Sequence, residues 1–132
     1  MKVRDIMTKE VTTLGVNEEL SLADDIMNLG RIRHLPVVDD DKLVGIISQR
    51  DLFRASLASA MGFGEEIMRD FLKTVVVKKI MTTSVITVSP DTDIKEAGLI
   101  MLEKKFGCLP VVEDGQLVGL ITETDIVRQC IM

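Results

Sequence analysis

Residues 35–54 read LPVVDDDKLVGIISQRDLFR, and residues 109–128 read LPVVEDGQLVGLITETDIVR. Extending this match in both directions aligns residues 3–54 with residues 77–128 at a constant offset of 74, and about 20 of the 52 positions are identical. Self-similarity at a fixed period is the signature of a repeat architecture. The chain therefore contains two copies of one unit of about 50 residues.

The first half of each copy predicts a strand followed by a helix. Residues 11–14 and residues 85–88 are rich in β-branched side chains, which favour strands. After each strand, apolar residues recur at three- and four-residue spacing, which predicts a helix with one buried face. These residues are Leu20, Ala23, Ile26 and Met27 in the first copy, and Ile94, Ala97, Ile100 and Met101 in the second. Asp93 followed by Glu96 predicts a capping box for the second helix only.

The second half of each copy predicts a hairpin and a further helix. In the first copy, the apolar runs 35–38 and 43–47 are separated by an acidic turn, which indicates two neighbouring strands. Both runs are almost continuous in Val, Ile and Leu, so we expect helices to cover both faces of the sheet. A helix should then begin at Ser48, and at Thr122 in the second copy. The predicted fold class is α/β (α+β), with the order β-α-β-β-α repeated twice.

The predicted boundaries are 1–56 for the first repeat, 57–74 for a helical connector with a bend near Gly62 and Gly64, and 75–132 for the second repeat. A unit of this size buries only a marginal core by itself. We therefore expect the two repeats to pack together about a pseudo-twofold axis.

Composition excludes several classes of function. A net charge of −5 disfavours a nucleic-acid polymer as partner, because that binding relies on clustered Lys and Arg. No apolar run approaches the roughly 18 residues of a membrane span and no signal peptide is evident, so a cytoplasmic location is expected. Cys108 and Cys130 match no metal spacing. With a single histidine and no clustered catalytic groups, we expect neither a metal site nor an enzyme.

The pattern Gly, two aliphatic residues, Ser or Thr, two variable residues and Asp occurs at 45–51 and again at 119–125. In the structural interpretation, Ser48 and Thr122 cap the helices, and Asp51 and Asp125 favour the positive end of each helix dipole. In the functional interpretation, the free helix amides and the hydroxyl bind a phosphate while the carboxylate accepts from both ribose hydroxyls. The two interpretations are compatible, and the duplication favours a ribose-phosphate site.

The tandem units, the Leu-Pro-Val-Val strand and the paired motif resemble a cystathionine-β-synthase (CBS) domain pair, or Bateman module, of the stand-alone kind. This resemblance implies a regulatory ligand such as AMP, ADP, ATP or S-adenosylmethionine, and no catalytic cofactor. It also implies a homodimer and a regulated partner protein. The alternative is a constitutive dimerisation or assembly module with vestigial, unoccupied clefts.

The resemblance also implies roles for individual residues. Asp51 and Asp125 would hold the ribose, and the neighbouring hydroxyl would lie near the ribose and phosphate. The first strand and the residues around the strand proline would line the base pocket, and basic residues would meet the phosphates. The remaining residues of these groups are Ser48, Thr122, Thr13, Thr87, Pro36, Pro110, Arg33, His34 and Arg50.

The two copies differ at the implied ligand positions. The second copy has Gly107-Cys108 where the first has Arg33-His34, and Glu123-Thr124 where the first has Gln49-Arg50. The two sites are therefore unequal in charge, and the sequence leaves open which one binds more tightly. His34 also has a purely structural interpretation, because a lone histidine beside a buried strand is commonly a packed or surface residue.

Overall fold

The computed structural model describes residues 1–60 and 64–132 and consists of six α-helices, five strands and a short 3-10 helix in that part of the chain. The elements follow in the order α1 (Val3–Ile6), β1 (Leu14–Gly15), α2 (Leu20–Gly30), β2 (His34–Asp39), β3 (Lys42–Ser48), α3 (Gln49–Ala60), α4 (Glu65–Leu72), the 3-10 helix (Val77–Lys79), α5 (Ile94–Lys104), β4 (Cys108–Glu113), β5 (Gln116–Thr122) and α6 (Glu123–Ile131). The predicted α/β (α+β) class is confirmed.

The chain folds into two compact units that do not coincide with its linear halves. The Asp51 unit contains Thr12–Asp40 and Val44–Val85, and the Asp125 unit contains Met1–Val11, Asp41–Leu43 and Ile86–Met132. Each unit is thus built mainly from one copy but includes the first residues of the other copy. We call these segments the Thr8 strap (residues 1–11) and the Thr82 strap (residues 75–85). The boundaries 1–56, 57–74 and 75–132 stay a prediction about the repeats.

In the Asp51 unit, three strands and a strap lie side by side. β1 is parallel to β2, with Leu14 paired with Val37, and β3 lies on the other side of β2. The Thr82 strap crosses β3, where Ile46 N–H donates to the Thr82 carbonyl at 3.0 Å and Thr82 N–H donates to the Ile46 carbonyl at 2.9 Å. Because β2 and β3 form a hairpin, the end of β3 lies beside the start of β2 at one edge of the sheet.

The Asp125 unit repeats this arrangement with its own strands. β4 and β5 are antiparallel, with Cys108 paired with Thr122, and Val88 bridges Val111 in parallel. The Thr8 strap crosses β5 through two bonds, from Thr8 N–H to the Leu120 carbonyl at 2.9 Å and from Leu120 N–H to the Thr8 carbonyl at 3.0 Å. The end of β5 therefore lies beside the start of β4, just as the end of β3 lies beside the start of β2.

The straps belong to the cores of the units that they cross. Val77 is fully buried in the core of the Asp51 unit, and Val3, at the equivalent repeat position, is fully buried in the core of the Asp125 unit. The buried residues are Leu14, Leu20, Ala23, Met27, Leu35, Val37, Ile47, Leu52, Leu72 and Val77 in the Asp51 unit, and Val3, Val88, Ala97, Met101, Leu109, Val111 and Ile121 in the Asp125 unit. A unit without its strap would leave a cavity in this core.

Most predicted elements are confirmed, and the first strands are the main correction. The predicted strand at 11–14 reduces to Leu14–Gly15, and the predicted strand at 85–88 reduces to a single bridge at Val88. Asp93 caps α5 by accepting from Lys95 N–H at 2.9 Å, without the reciprocal bond from Glu96 that a capping box needs. The bend predicted near Gly62 lies outside the described residues. Among the described helices, none is both long and apolar enough to span a bilayer.

Candidate functional site

In each unit, the motif Ser or Thr caps the helix that follows β3 or β5, and the motif Asp returns a hydrogen bond to it. In the Asp51 unit, Ser48 N–H donates to Asp51 Oδ2 at 2.8 Å and Asp51 N–H donates to Ser48 Oγ at 3.1 Å. In the Asp125 unit, the corresponding bonds between Thr122 and Asp125 measure 2.9 and 3.2 Å. Each pair forms a capping box. The structural interpretation of the motif therefore applies, and it uses one oxygen of each carboxylate while the second oxygen remains able to accept.

The start of each motif helix offers fewer free amides than the sequence led us to expect. Gln49 N–H donates to the Arg33 carbonyl at 2.8 Å, and the amides of Ser48 and Asp51 are engaged in the capping box. Of the four amides that a helix N-terminus normally leaves unsatisfied, only that of Arg50 has no partner among the described residues. An anion at this edge would therefore depend mainly on side chains.

The same count holds in the Asp125 unit. Glu123 N–H donates to the Gly107 carbonyl at 3.0 Å, which leaves the amide of Thr124 as the free one among the described residues at the start of α6.

The second oxygen of the motif aspartate has a charged neighbour in the Asp125 unit. Asp125 Oδ1 lies 4.0 Å from an Arg128 guanidinium nitrogen, and the Asp125 side chain is 12% exposed. No ion pair between Asp51 and the equivalent Arg54 is present in the described part of the chain.

The motif glycines make room for the straps. A Cβ atom on Gly45 would lie 2.5 Å from Met81 Sδ and 3.0 Å from the Thr82 carbonyl oxygen. A Cβ atom on Gly119 would meet the sulfur of Met7 at 2.6 Å and the carbonyl oxygen of Thr8 at 3.0 Å. A glycine is thus required where the strap backbone crosses the strand, three residues before the strand ends and close to the candidate site.

The straps are the part of the site that sequence reasoning missed. Thr8 and Thr82 are exposed residues that lie against β5 and β3, and each bridges a strand residue two positions before Thr122 or Ser48. The signal was present, because Ile-Met-Thr occurs at both 6–8 and 80–82. The repeat alignment identified this block, but its pairing partner could not be inferred from the alignment.

The predicted base-pocket residues lie at the same sheet edge as the motif. The pairing of Leu14 with Val37 places Thr13, one residue earlier, opposite Pro36. In the Asp125 unit, the bond from Val88 N–H to the Pro110 carbonyl at 3.1 Å places Thr87 beside this proline. Both prolines are fully buried, whereas Thr13 is half-buried and Thr87 is exposed. The threonines can therefore contact a ligand, and the prolines support the strand behind them.

The predicted phosphate-binding residues differ in accessibility. Arg33 and Arg50 are exposed, and His34 is half-buried and engaged in an interaction within the protein. At the position equivalent to His34, burial raises the pKa of the Cys108 thiol to about 12. This thiol is therefore protonated and unreactive at neutral pH. Within the described residues, no group of three or more His, Cys, Asp or Glu side chains could hold a metal ion.

The model of the CBS domain family matches this sequence twice, over residues 3–58 and 77–131. The chain belongs to the CBS domain family. It is a tandem pair of CBS repeats, and the Gly-to-Asp motif described above spans the end of β3 in one repeat and the end of β5 in the other. A CBS domain-containing protein from Dictyostelium discoideum is 32% identical over 126 residues, which cover 94% of this chain and 87% of the relative.

Several solved structures share the fold over nearly the whole chain. A putative acetoin utilization protein (AcuB) from Vibrio cholerae is 38% identical, with a TM-score of 0.84 over 99% of this chain and 90% of that one. CBSX2, solved in complex with AMP, is 31% identical, with a TM-score of 0.82 and coverage of 98% and 96%. The CBS domain pair of MJ0100, solved with 5′-methylthioadenosine and S-adenosylmethionine, is 31% identical, with a TM-score of 0.78 and coverage of 98% and 95%.

Other relatives are much longer proteins. The chain is 32% identical to MJ1225 from Methanocaldococcus jannaschii but spans only 41% of its length. It is 35% identical to inosine-5′-monophosphate dehydrogenase from Thermoplasma acidophilum and spans 22% of that enzyme. The match to the enzyme is thus confined to a CBS pair within it.

Proposed function

We propose that this CBS pair is a regulatory module that binds an adenosine-containing nucleotide, AMP, ADP, ATP or S-adenosylmethionine, at the sheet edges of Asp51 and Asp125. The observation that carries the proposal is the duplicated capping box, because it fixes each carboxylate in a half-buried position and leaves one oxygen for a ligand. Support also comes from CBSX2 and MJ0100, which were solved with AMP and with S-adenosylmethionine and 5′-methylthioadenosine.

Each group at the Asp51 edge has a role that its hydrogen bonds allow. The free Oδ1 of Asp51 accepts from the ribose hydroxyls. The Ser48 oxygen already accepts from Asp51 N–H at 3.1 Å, so its own O–H is available to donate to the ribose or phosphate. Thr13 contacts the base, and Arg33 and Arg50 face the phosphate. Asp125, Thr122 and Thr87 act in the same way at the second edge.

Ligand binding regulates by changing the balance between conformations of the module. A ligand shifts such a balance only as far as it binds one conformation better than another. The straps lie on the strands that carry the site, so a ligand at either edge adjoins a segment contributed by the other repeat. A regulated partner protein would read the resulting change. In this proposal the module itself catalyses no reaction. The similarity to inosine-5′-monophosphate dehydrogenase supports this view, because the match covers only a small fraction of that enzyme.

Thermal unfolding with AMP, ATP and S-adenosylmethionine tests the proposal. A ligand at 100 times its dissociation constant should add about 2.7 kcal/mol to the free energy of unfolding, which corresponds to several degrees for a chain of this size. Asp51→Ala and Asp125→Ala should each reduce the shift, and the double variant should abolish it. Asp70→Ala, which removes an exposed carboxylate far along the sequence from both motifs, is the control and should retain the full shift. Unchanged affinity in the double variant would contradict the ribose assignment.

The assembly alternative has its own support in the Asp125 unit. α5 and α6 are neighbours and expose four large apolar side chains, Leu99 (55%), Leu102 (75%), Val127 (53%) and Ile131 (79%). We propose that a second copy of the chain covers this surface in a homodimer. Light scattering after size exclusion should give twice the chain mass, and Leu102→Glu with Ile131→Glu should give the monomer. A dimer that no nucleotide stabilises would favour the assembly function over the sensor.

A further inference from the structure

The two candidate sites present opposite charges to a ligand. Around the Asp51 motif, the sequence supplies three arginines, Arg33, Arg50 and Arg54, with Asp51 as the carboxylate. The equivalent positions in the Asp125 unit supply one arginine and two carboxylates, namely Arg128, Glu123 and Asp125. The remaining equivalents of the two arginines are Gly107 and Thr124, which carry no charge.

Backbone hydrogen bonds place these differences at the start of the motif helix. The bond from Gln49 N–H to the Arg33 carbonyl at 2.8 Å holds Arg33 directly beside the first residue of α3, and Arg50 is the next residue. Two exposed guanidinium groups therefore emerge next to the one helix amide that has no partner in the described part of the chain. This is a local arrangement that attracts a phosphate.

In the Asp125 unit, the equivalent backbone hydrogen bond joins a glycine to an acidic residue. Glu123 N–H donates to the Gly107 carbonyl at 3.0 Å, so a position without a side chain adjoins an exposed carboxylate. Arg128, the remaining cation, lies 4.0 Å from Asp125 and is partly neutralised by it. A phosphate here would meet Glu123, and of the positions equivalent to the three arginines only Arg128 carries a positive charge, which costs binding energy.

The straps do not reverse this difference. The Thr8 strap carries three basic and two acidic side chains, a net charge of +1, and the Thr82 strap carries two lysines, a net charge of +2. Both bridges are antiparallel to the strand that they cross. The residues that follow Thr8 and Thr82 therefore lead toward the start of the strand, away from the motif helix.

Resting on the proposed function, we propose that the two sites select ligands by charge: the Asp51 edge takes a phosphorylated adenosine, and the Asp125 edge takes an adenosine whose 5′ substituent is neutral or cationic. The module then reports two different metabolite classes at once. The specificity-determining residues are Arg33 and Arg50 at one edge, and Gly107, Glu123 and Thr124 at the other.

Calorimetry on the full chain tests this assignment with AMP and 5′-methylthioadenosine as the two probes. Asp125→Ala leaves the Asp51 edge intact, and this variant should bind AMP about tenfold or more tightly than 5′-methylthioadenosine. Asp51→Ala leaves the Asp125 edge intact and should reverse the order. Raising NaCl from 50 to 500 mM should weaken AMP binding in the Asp125→Ala variant, because the arginines that attract the phosphate are exposed.

Exchange of the charged residues provides a matched pair of variants. Arg33→Gly with Arg50→Thr, in the Asp125→Ala background, should lower the ratio of AMP affinity to 5′-methylthioadenosine affinity about tenfold. Gly107→Arg with Thr124→Arg, in the Asp51→Ala background, should raise that ratio. If both probes bind but the two edges rank them identically, the charge inference is wrong and the sensor function stands. If neither probe binds the unsubstituted chain, and ADP, ATP and S-adenosylmethionine also fail to bind, the proposed function itself is wrong.

Discussion

The Asp51 unit and the Asp125 unit reproduce the same hydrogen bonds with different side chains. Both have the capping box, the strap bridge and the bond from the first helical amide to the residue before β2 or β4. The residues that these contacts require are identical or nearly so, as with Gly45 and Gly119. By contrast, these contacts do not use the side chains at positions 33 and 107 or at positions 50 and 124. The residues at these positions differ in charge between the two copies. The positions that fix the architecture are thus separate from the positions that we propose select the ligand.

The largest testable difference between the two units is at His34 and the equivalent residue, Cys108. Because burial raises the pKa of the Cys108 thiol to about 12, its thiolate population at pH 8 should be about a thousandfold below that of an ordinary exposed thiol. A disulfide reagent should therefore label one cysteine rapidly in the native chain, the exposed Cys130, and the second only on unfolding. Cys130→Ser should abolish the rapid phase.

The same thiol gives a pH dependence with a definite sign. A group whose pKa is higher in the folded state stabilises the fold below its unfolded pKa and loses this contribution as pH rises. Unfolding of the chain should therefore become easier between pH 9.0, the usual value of the thiol, and about 12. Cys108→Ala should remove this slope. Rapid native labelling of Cys108 would instead mean that the start of β4 is open to solvent.

The next effect concerns the crossing of the straps. Gly45→Ala and Gly119→Ala should each lower the free energy of unfolding by about 1–3 kcal/mol, because the new methyl group overlaps the strap methionine and backbone. Urea unfolding followed by circular dichroism measures this cost. Gly98→Ala is the control: Gly98 lies in α5, and its Cβ would meet Ile126 of α6 at an ordinary 3.5 Å, so the substitution should be neutral or stabilising. Equal effects in all three variants would show that the crossing is not what requires glycine.

The smallest effect lies in the two hairpin turns. Asp40 and Asp41 have φ values of 51° and 65°, whereas the second turn uses Asp114 at 53° and Gly115 at 81°. Glycine adopts positive φ without the steric cost that an L side chain carries. Asp41→Gly should therefore stabilise the chain by up to about 1 kcal/mol, and Gly115→Asp should destabilise it by a similar amount. Thermal melting of both variants checks the opposite signs.

Local patterns predicted the hairpins, the amphipathic helices and the motif cap, because each is set by residues within a few positions of one another. The strap bridges were not predicted, since Thr8 pairs with Leu120 through a single residue and leaves no periodicity in the sequence. The hydrogen bond from Gln49 N–H to the Arg33 carbonyl was not predicted either. It depends on the exact register of the two strands, which the hairpin pattern does not determine. The site residues proposed from the sequence lie at one edge in each unit, and their ligand contacts stay a prediction.

Because each strap packs in the unit of the other copy, the two units should fold in a definite order during synthesis. The Asp51 unit draws its main segments from residues 12–85, so its core can form as soon as Val85 has left the ribosome. The Asp125 unit joins Met1–Val11 to Ile86–Met132, and this requires closure of a loop through most of the chain. The Thr8 strap is therefore synthesised well before the strand that it crosses, and Val3 is not buried in its core until that strand has formed.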